Sequence, residues 1–197
     1  PVQLSDIYDL ASLTKTTSTT LAAMRMYEQK KFKLSDSLKD FLPDTLKFTS
    51  LNDVTFKQIL THRTGLSSGM NILKFIQYTN DTIGQFDRYF CDWQDDTLFK
   101  VQVADSMWMD TTYADSIWVD LTSQWIDKSR PYKYSDANFN LLYFLLRSMA
   151  EEALYFDEYV HKEFYVPLGP HTMVYLPVHR FPAPSIPPTD NDNNWCN

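Results

Sequence analysis

The chain of 197 residues contains only four glycines. Tight hairpin turns rely on glycine, because glycine adopts left-handed backbone conformations at little cost. A chain with so few glycines therefore favours helices and long irregular loops over a sheet built from short hairpins. Hydrophobic residues make up 44% and charged residues 22%, a balance typical of a globular protein and not of a disordered one. Composition thus predicts a mainly α fold.

Apolar side chains recur at helical spacing in five segments, apart from a short predicted helix that Ser35 or Asp36 would cap. These predicted helices cover residues 13–30, begin at Thr55 and Tyr113, cover residues 137–150, and begin at Asp157. The apolar face expected on the third of them consists of Tyr113, Ile117, Leu121 and Trp125.

The remaining segments show no sustained helical period. Residues 67–100 are predicted to form a long surface excursion without regular structure, and the secondary structure of residues 101–110 is ambiguous. Gly65 is placed to end the second helix in a left-handed conformation. After Gly169, prolines recur, so the tail is predicted to be extended.

The first predicted helix starts with an unusual pair, Ser12 and Lys15. Three residues apart on a helix, their side chains share one face. A serine hydroxyl becomes a good nucleophile when a neighbour takes its proton, and a lysine can do so when its pKa is lowered. By itself, Ser-x-x-Lys is better explained by a capping serine beside a solvated lysine. The run of threonines over residues 14–20 forms helix poorly, which marks a functional or tightly packed segment.

Further segments carry a resemblance to a known family. Residues 8–15 read YDLASLTK and resemble the nucleophile segment of class-C-type β-lactamases, DD-peptidases and related esterases. Residues 56–66 read FKQILTHRTGL and resemble the family's LLTHTSGL block. Residues 132–139 read YKYSDANF and resemble its Tyr-x-Asn motif, and residues 167–172 resemble its PLGM…T block. Four ordered blocks are far more specific than any one of them, and they cover nearly the whole chain.

The resemblance implies roles by position. Ser12 attacks a carbonyl and becomes acylated, and Lys15 accepts the serine proton. Tyr134 matches the motif's tyrosine and lies near Ser12 as a general acid or base, although the residue alone is better explained by packing beside a helix start. Asp136 stands where Asn is commonest and hydrogen-bonds Lys15 or the substrate amide. In this family the histidine at His62 is structural, buried at a helix end.

Members of this family also have a motif and strands that residues 1–197 do not contain. The family's third motif, Lys-Thr-Gly or His-x-Gly, does not occur after Tyr134, and its opening strands would precede Pro1. We therefore expect one partial domain over residues 1–197, truncated at both ends. It consists of a nucleophile helix region (1–31), a helical subdomain (32–169) and a Pro-rich extended tail (170–197), with most of the antiparallel sheet missing. Such a fragment is expected to be nearly inactive alone, and its uncovered apolar face makes self-association plausible.

The net charge is −7, and no cluster of Lys and Arg could follow a phosphate backbone, so nucleic-acid binding is not expected. No apolar run approaches the roughly 20 residues that cross a bilayer. Cys91 and Cys196 are interpreted as two unpaired thiols, with a disulfide as the alternative. No cofactor is expected. Nor is a metal, because His161, His171 and His179 have no ligand spacing.

Residues 101–106, 175–177 and 191–192 resemble β-lactamase-like modules attached to bacterial glycoside hydrolases that recycle cell-wall sugars. This implies fusion to such a domain in a longer protein, and a periplasmic or cell-envelope location. The expected partner is a small-molecule or peptide substrate: a cell-wall peptide, a β-lactam or a small ester. The alternative function is a catalytically silent relative that serves as a binding or scaffold module, which Asp136 and the absent third motif favour.

Overall fold

The computed structural model describes residues 3–42, 50–68, 90–91, 99–104, 107–110, 112–127, 129, 132–150 and 155–187. The fold is mainly helical, which confirms the predicted fold class. Two compact units are present: Pro1–Lys33 with Tyr143–Asn197, and Leu34–Leu142. The division at residues 31 and 169 drawn from the sequence stays a prediction.

The first unit opens with one helical run that changes its hydrogen-bonding register twice. A 3₁₀ turn (Ala11–Leu13) leads into a π-helical turn (Lys15–Thr19), and α1 (Thr20–Glu28) follows. The helix predicted over residues 13–30 is therefore confirmed, with ends shifted by two residues. On its inner side, Ala22, Ala23 and Met26 are buried.

The C-terminal part of the first unit continues with α5 (Phe156–Val160), a π-helical turn (His161–Tyr165) and α6 (Val166–Leu168). Gly169 ends this run with φ +82°, the left-handed conformation expected of a terminal glycine. The tail is not wholly extended as predicted, since it contains 3₁₀ turns at Pro177–His179 and Ala183–Ser185. Proline favours these turns because its φ is already fixed near their value.

The second unit contains a 3₁₀ turn (Leu38–Asp40), α2 (Phe56–Leu60) and α3 (Tyr113–Ser123), and α4 (Asp136–Met149) begins in it. A capping box starts α2: the Thr55 hydroxyl accepts the N–H of Gln58, whose side chain accepts the N–H of Thr55. The helices predicted from Thr55 and over residues 137–150 are thus confirmed.

Two local predictions in this unit are wrong. The left-handed residue directly after α2 is His62 (φ +54°), not Gly65. The N–H of Arg63 bonds the carbonyl of Gln58, and the N–H of His62 bonds that of Ile59, which is a Schellman ending. In addition, α3 begins at Tyr113 as predicted and includes Ile117 and Leu121, but it ends at Ser123, and Trp125 beyond it is 78% exposed and not part of the apolar face.

Three short strands occur where the sequence predicted only a loop and an ambiguous segment: β1 (Phe90–Cys91), β2 (Phe99–Ala104) and β3 (Met107–Asp110). They form an antiparallel sheet in the order β1-β3-β2, with Phe90 opposite Met109 and Gln102 opposite Trp108. The rest of the predicted excursion lies largely outside the described residues. So does Cys196, and with it the pairing of the two cysteines.

The helices of each unit bury a continuous set of large apolar side chains. In the first unit these include Met26, Phe32, Leu145, Phe156 and Val160; in the second they include Leu38, Phe56, Ile59, Leu121 and Leu141. Among the described residues, no helix has the length and apolarity needed to cross a membrane.

Candidate active site

Ser12 lies in the first turn of the opening helix, where the chain bends sharply into it. The preceding residue, Ala11, has φ +43°, a conformation that few residues other than glycine adopt easily. Asp9 holds this bend, because its Oδ1 accepts the N–H of Ala11 at 2.8 Å. The N–H of Leu13 then bonds the carbonyl of Leu10 at 2.8 Å. The serine is thus presented on an exposed, tightly bonded turn.

Lys15 reaches back to the serine. Its Nζ lies 3.1 Å from Ser12 Oγ, within hydrogen-bond distance, and its side chain is half-buried while Ser12 is exposed. A protonated amine donates to the serine oxygen at this separation. A neutral amine in the same place can accept the serine proton. The pair expected from the sequence is therefore brought together within one unit.

The π-helical turn explains how the threonine-rich segment becomes helical. Thr20 donates both its N–H and its hydroxyl to the carbonyl of Lys15, five residues earlier, the latter at 2.7 Å. Thr16 and Thr17 both donate their hydroxyls to the carbonyl of Leu13. Threonine disfavours a regular helix partly because its hydroxyl competes for backbone groups. Here those hydroxyls bond the carbonyls of the widened turn, and π turns of this kind occur frequently at functional sites.

Tyr134 and Asp136 lie in the second unit, directly before and at the start of α4. Both side chains are exposed, Tyr134 by 44%. The N–H of Asp136 donates to the carbonyl of Ser68 at 2.9 Å, which fixes the entry into the helix. The four candidate residues thus divide into two pairs, each within one unit.

His62 is buried and makes three kinds of contact with the segment that carries Tyr134. Its Nδ1 accepts the N–H of Ser135 at 3.1 Å, and its carbonyl accepts the N–H of Lys133 at 3.0 Å. Its ring centroid is 4.5 Å from that of Tyr134. These bonds are those of a structural histidine, the role expected from the sequence.

Two buried polar residues beside this histidine were missed by sequence reasoning. The Thr64 hydroxyl donates to Asn138 Oδ1 at 2.7 Å, and both residues are buried. The Asn138 amide nitrogen also lies 3.4 Å from His62 Nδ1. The available signal was the position of Asn138 on the inward face of α4, between Ala137 and Phe139, because a buried amide needs partners.

A cavity of about 410 Å³ lies beside the opening helix of the first unit, a size that suits a small ligand. Thr14 and Thr17 from the helix line it, together with Tyr165 and Tyr175 from the C-terminal part, but Ser12 and Lys15 do not. Burial raises the pKa of Tyr175 to about 12, against a partial offset from its hydrogen bond with Ser18. Burial also raises the pKa of Tyr165. Both tyrosines therefore present protonated hydroxyls at neutral pH.

A family model described as Beta-lactamase matches residues 1–196. The chain belongs to the beta-lactamase family. The resemblance to the β-lactamase and penicillin-binding-protein family is thereby confirmed, while the class C type stays a prediction. Membership supports a serine hydrolase of this general type as the activity. Among curated proteins, none matches the chain significantly.

No cluster of three or more His, Cys, Asp or Glu side chains suited to a metal occurs among the described residues of this beta-lactamase-family chain. His171 and His179 are exposed in the tail, and His161 is half-buried in the π turn after α5. The hydrolytic chemistry that this family performs with a serine needs a nucleophile, a base and donors for an oxyanion. Serine and lysine are residue types that can serve as nucleophile and base, and this chain places Ser12 and Lys15 together at the start of its first helix.

Proposed function

We propose that the protein hydrolyses amide or ester substrates through an acyl-enzyme formed on Ser12. The observation that carries the proposal is the 3.1 Å separation of Lys15 Nζ and Ser12 Oγ. Lys15 takes the proton as Ser12 attacks the carbonyl carbon, and the scissile bond then breaks so that the amine or alcohol leaves with a proton. Water hydrolyses the acyl-enzyme, which releases the carboxylic acid and restores Ser12. The N–H groups at the start of the helix favour the negative charge that develops on the carbonyl oxygen.

Tyr134 and Asp136 complete the proposed machinery. Tyr134 acts as a general acid or base toward the leaving group, and Asp136 hydrogen-bonds Lys15 or the substrate amide. The position of both residues in the Tyr-x-Asn-like segment supports these roles, as does the exposure of both side chains. Because an ionised carboxylate accepts but does not donate, Asp136 selects for donors on the substrate where an asparagine would bind either kind of group.

The finer assignment follows the motif blocks. We assign the protein to the class-C-type branch, with cell-wall peptides, β-lactams or small esters as substrates. Its location is extracytoplasmic, and fusion to a glycoside hydrolase domain places it in cell-wall metabolism. The 197-residue chain by itself turns over substrate slowly, since it has no Lys-Thr-Gly or His-x-Gly after Tyr134 to supply the second oxyanion donor. Self-association covers its apolar faces.

A catalytically silent binding or scaffold module is the second candidate, and Asp136 is the observation that favours it. Asparagine is commonest at this position of the motif, and an ionised carboxylate cannot donate the hydrogen bonds that an asparagine amide would give.

Covalent labelling distinguishes the two candidates. The product of the full reading frame and the 197-residue chain are each treated with a fluorescent penicillin or a fluorophosphonate, and the adduct is located by peptide mass spectrometry. We expect an adduct on Ser12 that disappears in Ser12→Ala and persists in Ser5→Ala, which alters another exposed serine of the same segment. Full-reading-frame protein that carries no adduct on Ser12 would establish the silent module instead.

A further inference from the structure

The two residues that flank Tyr134 both hydrogen-bond to one buried residue, His62. Lys133 donates its N–H to the carbonyl of His62 at 3.0 Å, and Ser135 donates its N–H to Nδ1 of the same histidine at 3.1 Å. Both bonds are local to the second unit. With its neighbours held at two points, the backbone of Tyr134 cannot rotate without breaking a buried hydrogen bond.

The side chain of Tyr134 also contacts His62. The two ring centroids are 4.5 Å apart with the planes tilted by 32°, close enough to restrict the tyrosine ring. On the same histidine, the ring of Phe139 lies at 5.3 Å, which keeps the imidazole from turning away.

The backbone conformation of His62 makes this arrangement possible. Its φ of +54° ends α2 and lets one residue offer a ring nitrogen and a carbonyl to the same neighbouring strand of chain. Because Nδ1 accepts the N–H of Ser135, it carries no proton, and the ring N–H belongs to Nε2. Asn138, whose amide oxygen is occupied by the Thr64 hydroxyl, adds its amide nitrogen at 3.4 Å from Nδ1.

We propose that His62 is a positioning residue that sets the orientation of Tyr134 for the reaction, acting through the Ser135 N–H and through ring contact. This inference rests on the proposed function of Tyr134 and adds a residue to it. His62 does not touch the substrate; its removal slows acylation because Tyr134 is no longer held in place, and a misplacement of about 1 Å in such a group costs on the order of 10²-fold in rate.

Two substitutions of His62 test whether the protein needs a hydrogen-bond acceptor for the Ser135 N–H at this position. In His62→Asn, the amide Oδ1 stands near the position of Nδ1 and can accept the Ser135 N–H, whereas His62→Gly offers no acceptor. Asparagine and glycine both tolerate a positive φ, so neither variant adds backbone strain. The matched control is Thr55→Ala, which weakens the other end of α2 by about 1 kcal/mol through loss of its cap.

The measurement is the rate of Ser12 phosphonylation by a fluorophosphonate, made on the product of the full reading frame. We expect His62→Gly to slow it at least about tenfold, and His62→Asn and Thr55→Ala to stay within about threefold of wild type. In a Tyr134→Phe background, His62→Gly should cost less than about twofold, because its effect passes through the tyrosine hydroxyl. If His62→Gly slowed phosphonylation by the same factor in wild type and in Tyr134→Phe, the histidine would be merely structural and the proposal would be overturned.

Two further readouts keep this inference separate from the proposed function. Tyr134→Phe alone tests the tyrosine: a rate equal to wild type overturns its catalytic role and the positioning role with it. Hydrogen exchange of the Ser135 amide tests the bond without any reaction. Exchange should accelerate in His62→Gly and stay slow in His62→Asn, and continued protection in His62→Gly would overturn the proposal even if labelling changed.

Discussion

The hydroxyl of Thr20 donates to the backbone carbonyl of Lys15, five residues earlier, at 2.7 Å. The Thr20 N–H bonds the same carbonyl, so the turn that carries Lys15 is π-helical and wider than its surroundings. An ordinary α-helical turn would rotate Lys15 relative to the residues that follow it. The geometry of the proposed serine–lysine pair is therefore linked to a threonine that is not part of it.

We expect Thr20→Val to lower the free energy of unfolding by about 1 kcal/mol, because the variant keeps the shape of the side chain and loses one partly buried hydrogen bond. Urea denaturation measures the change. Thr16→Val is the matched control: its hydroxyl bonds the Leu13 carbonyl on an exposed surface, so its loss should cost less than about 0.5 kcal/mol. Equal losses in both variants would contradict a special role for the π turn.

Lys15→Arg should reduce the rate of Ser12 phosphonylation by about 10²- to 10⁴-fold, the range that a positioned base contributes. Arginine keeps the positive charge but does not lose its proton in proteins, so it cannot accept one from serine. Lys39→Arg, an exposed lysine paired with Asp53, provides the control and should leave the rate unchanged. If Lys15→Arg labelled as fast as wild type, Lys15 would not be the base.

Gly65→Ala should be strongly destabilising for two separable reasons. Its φ of +83° is unfavourable for alanine, and an added Cβ would lie 2.4 Å from the backbone carbonyl oxygen of Asp127. The N–H of Asp127 donates to the carbonyl of Gly65 at 3.0 Å, which holds the two segments together. Gly169 has the same φ, but nothing lies within 4 Å of its added Cβ. We expect about 1 kcal/mol for Gly169→Ala and about 1–3 kcal/mol more for Gly65→Ala. Comparable denaturation midpoints for both variants would show that the backbone of Asp127 moves aside to make room for the added Cβ.

Stability should fall as the pH rises from about 10 to about 12, because burial raises the pKa of Tyr175 from 10 to about 12. Below pH 10 the tyrosine is protonated in both the folded and the unfolded chain. Above it the unfolded chain loses the proton first, which favours unfolding until the folded form also ionises near pH 12. Urea midpoints at several pH values measure this slope.

Tyr175→Phe should flatten that slope, while Tyr132→Phe, which alters an exposed tyrosine, should retain it. Part of the slope should remain in Tyr175→Phe, because burial also raises the pKa of Tyr165. An unchanged slope in Tyr175→Phe would assign the alkaline loss of stability to other groups.

Much of the local structure was predictable because it depends on neighbours along the chain. The second helix starts at Thr55 as predicted, and Gly169 ends α6 with the positive φ expected of a terminal glycine. One local prediction failed for a long-range reason. His62 and not Gly65 terminates α2, since the histidine gains buried bonds to Lys133 and Ser135 that offset a conformation unfavourable for most residues.

Sequence alone determined the family, the mainly helical class and the one-turn spacing of Ser12 and Lys15, because motif order and helical periodicity are properties of the chain. Tertiary structure decided how those residues are held. The Thr20 hydroxyl reaching the Lys15 carbonyl converts a poor helix former into part of the turn. A histidine 72 residues before Tyr134 in sequence holds the tyrosine's segment in space. His62 and Tyr134 are far apart in sequence, and only folding brings their rings together. The Thr20 bond is local, but it depends on the width of a turn that helix propensity does not predict.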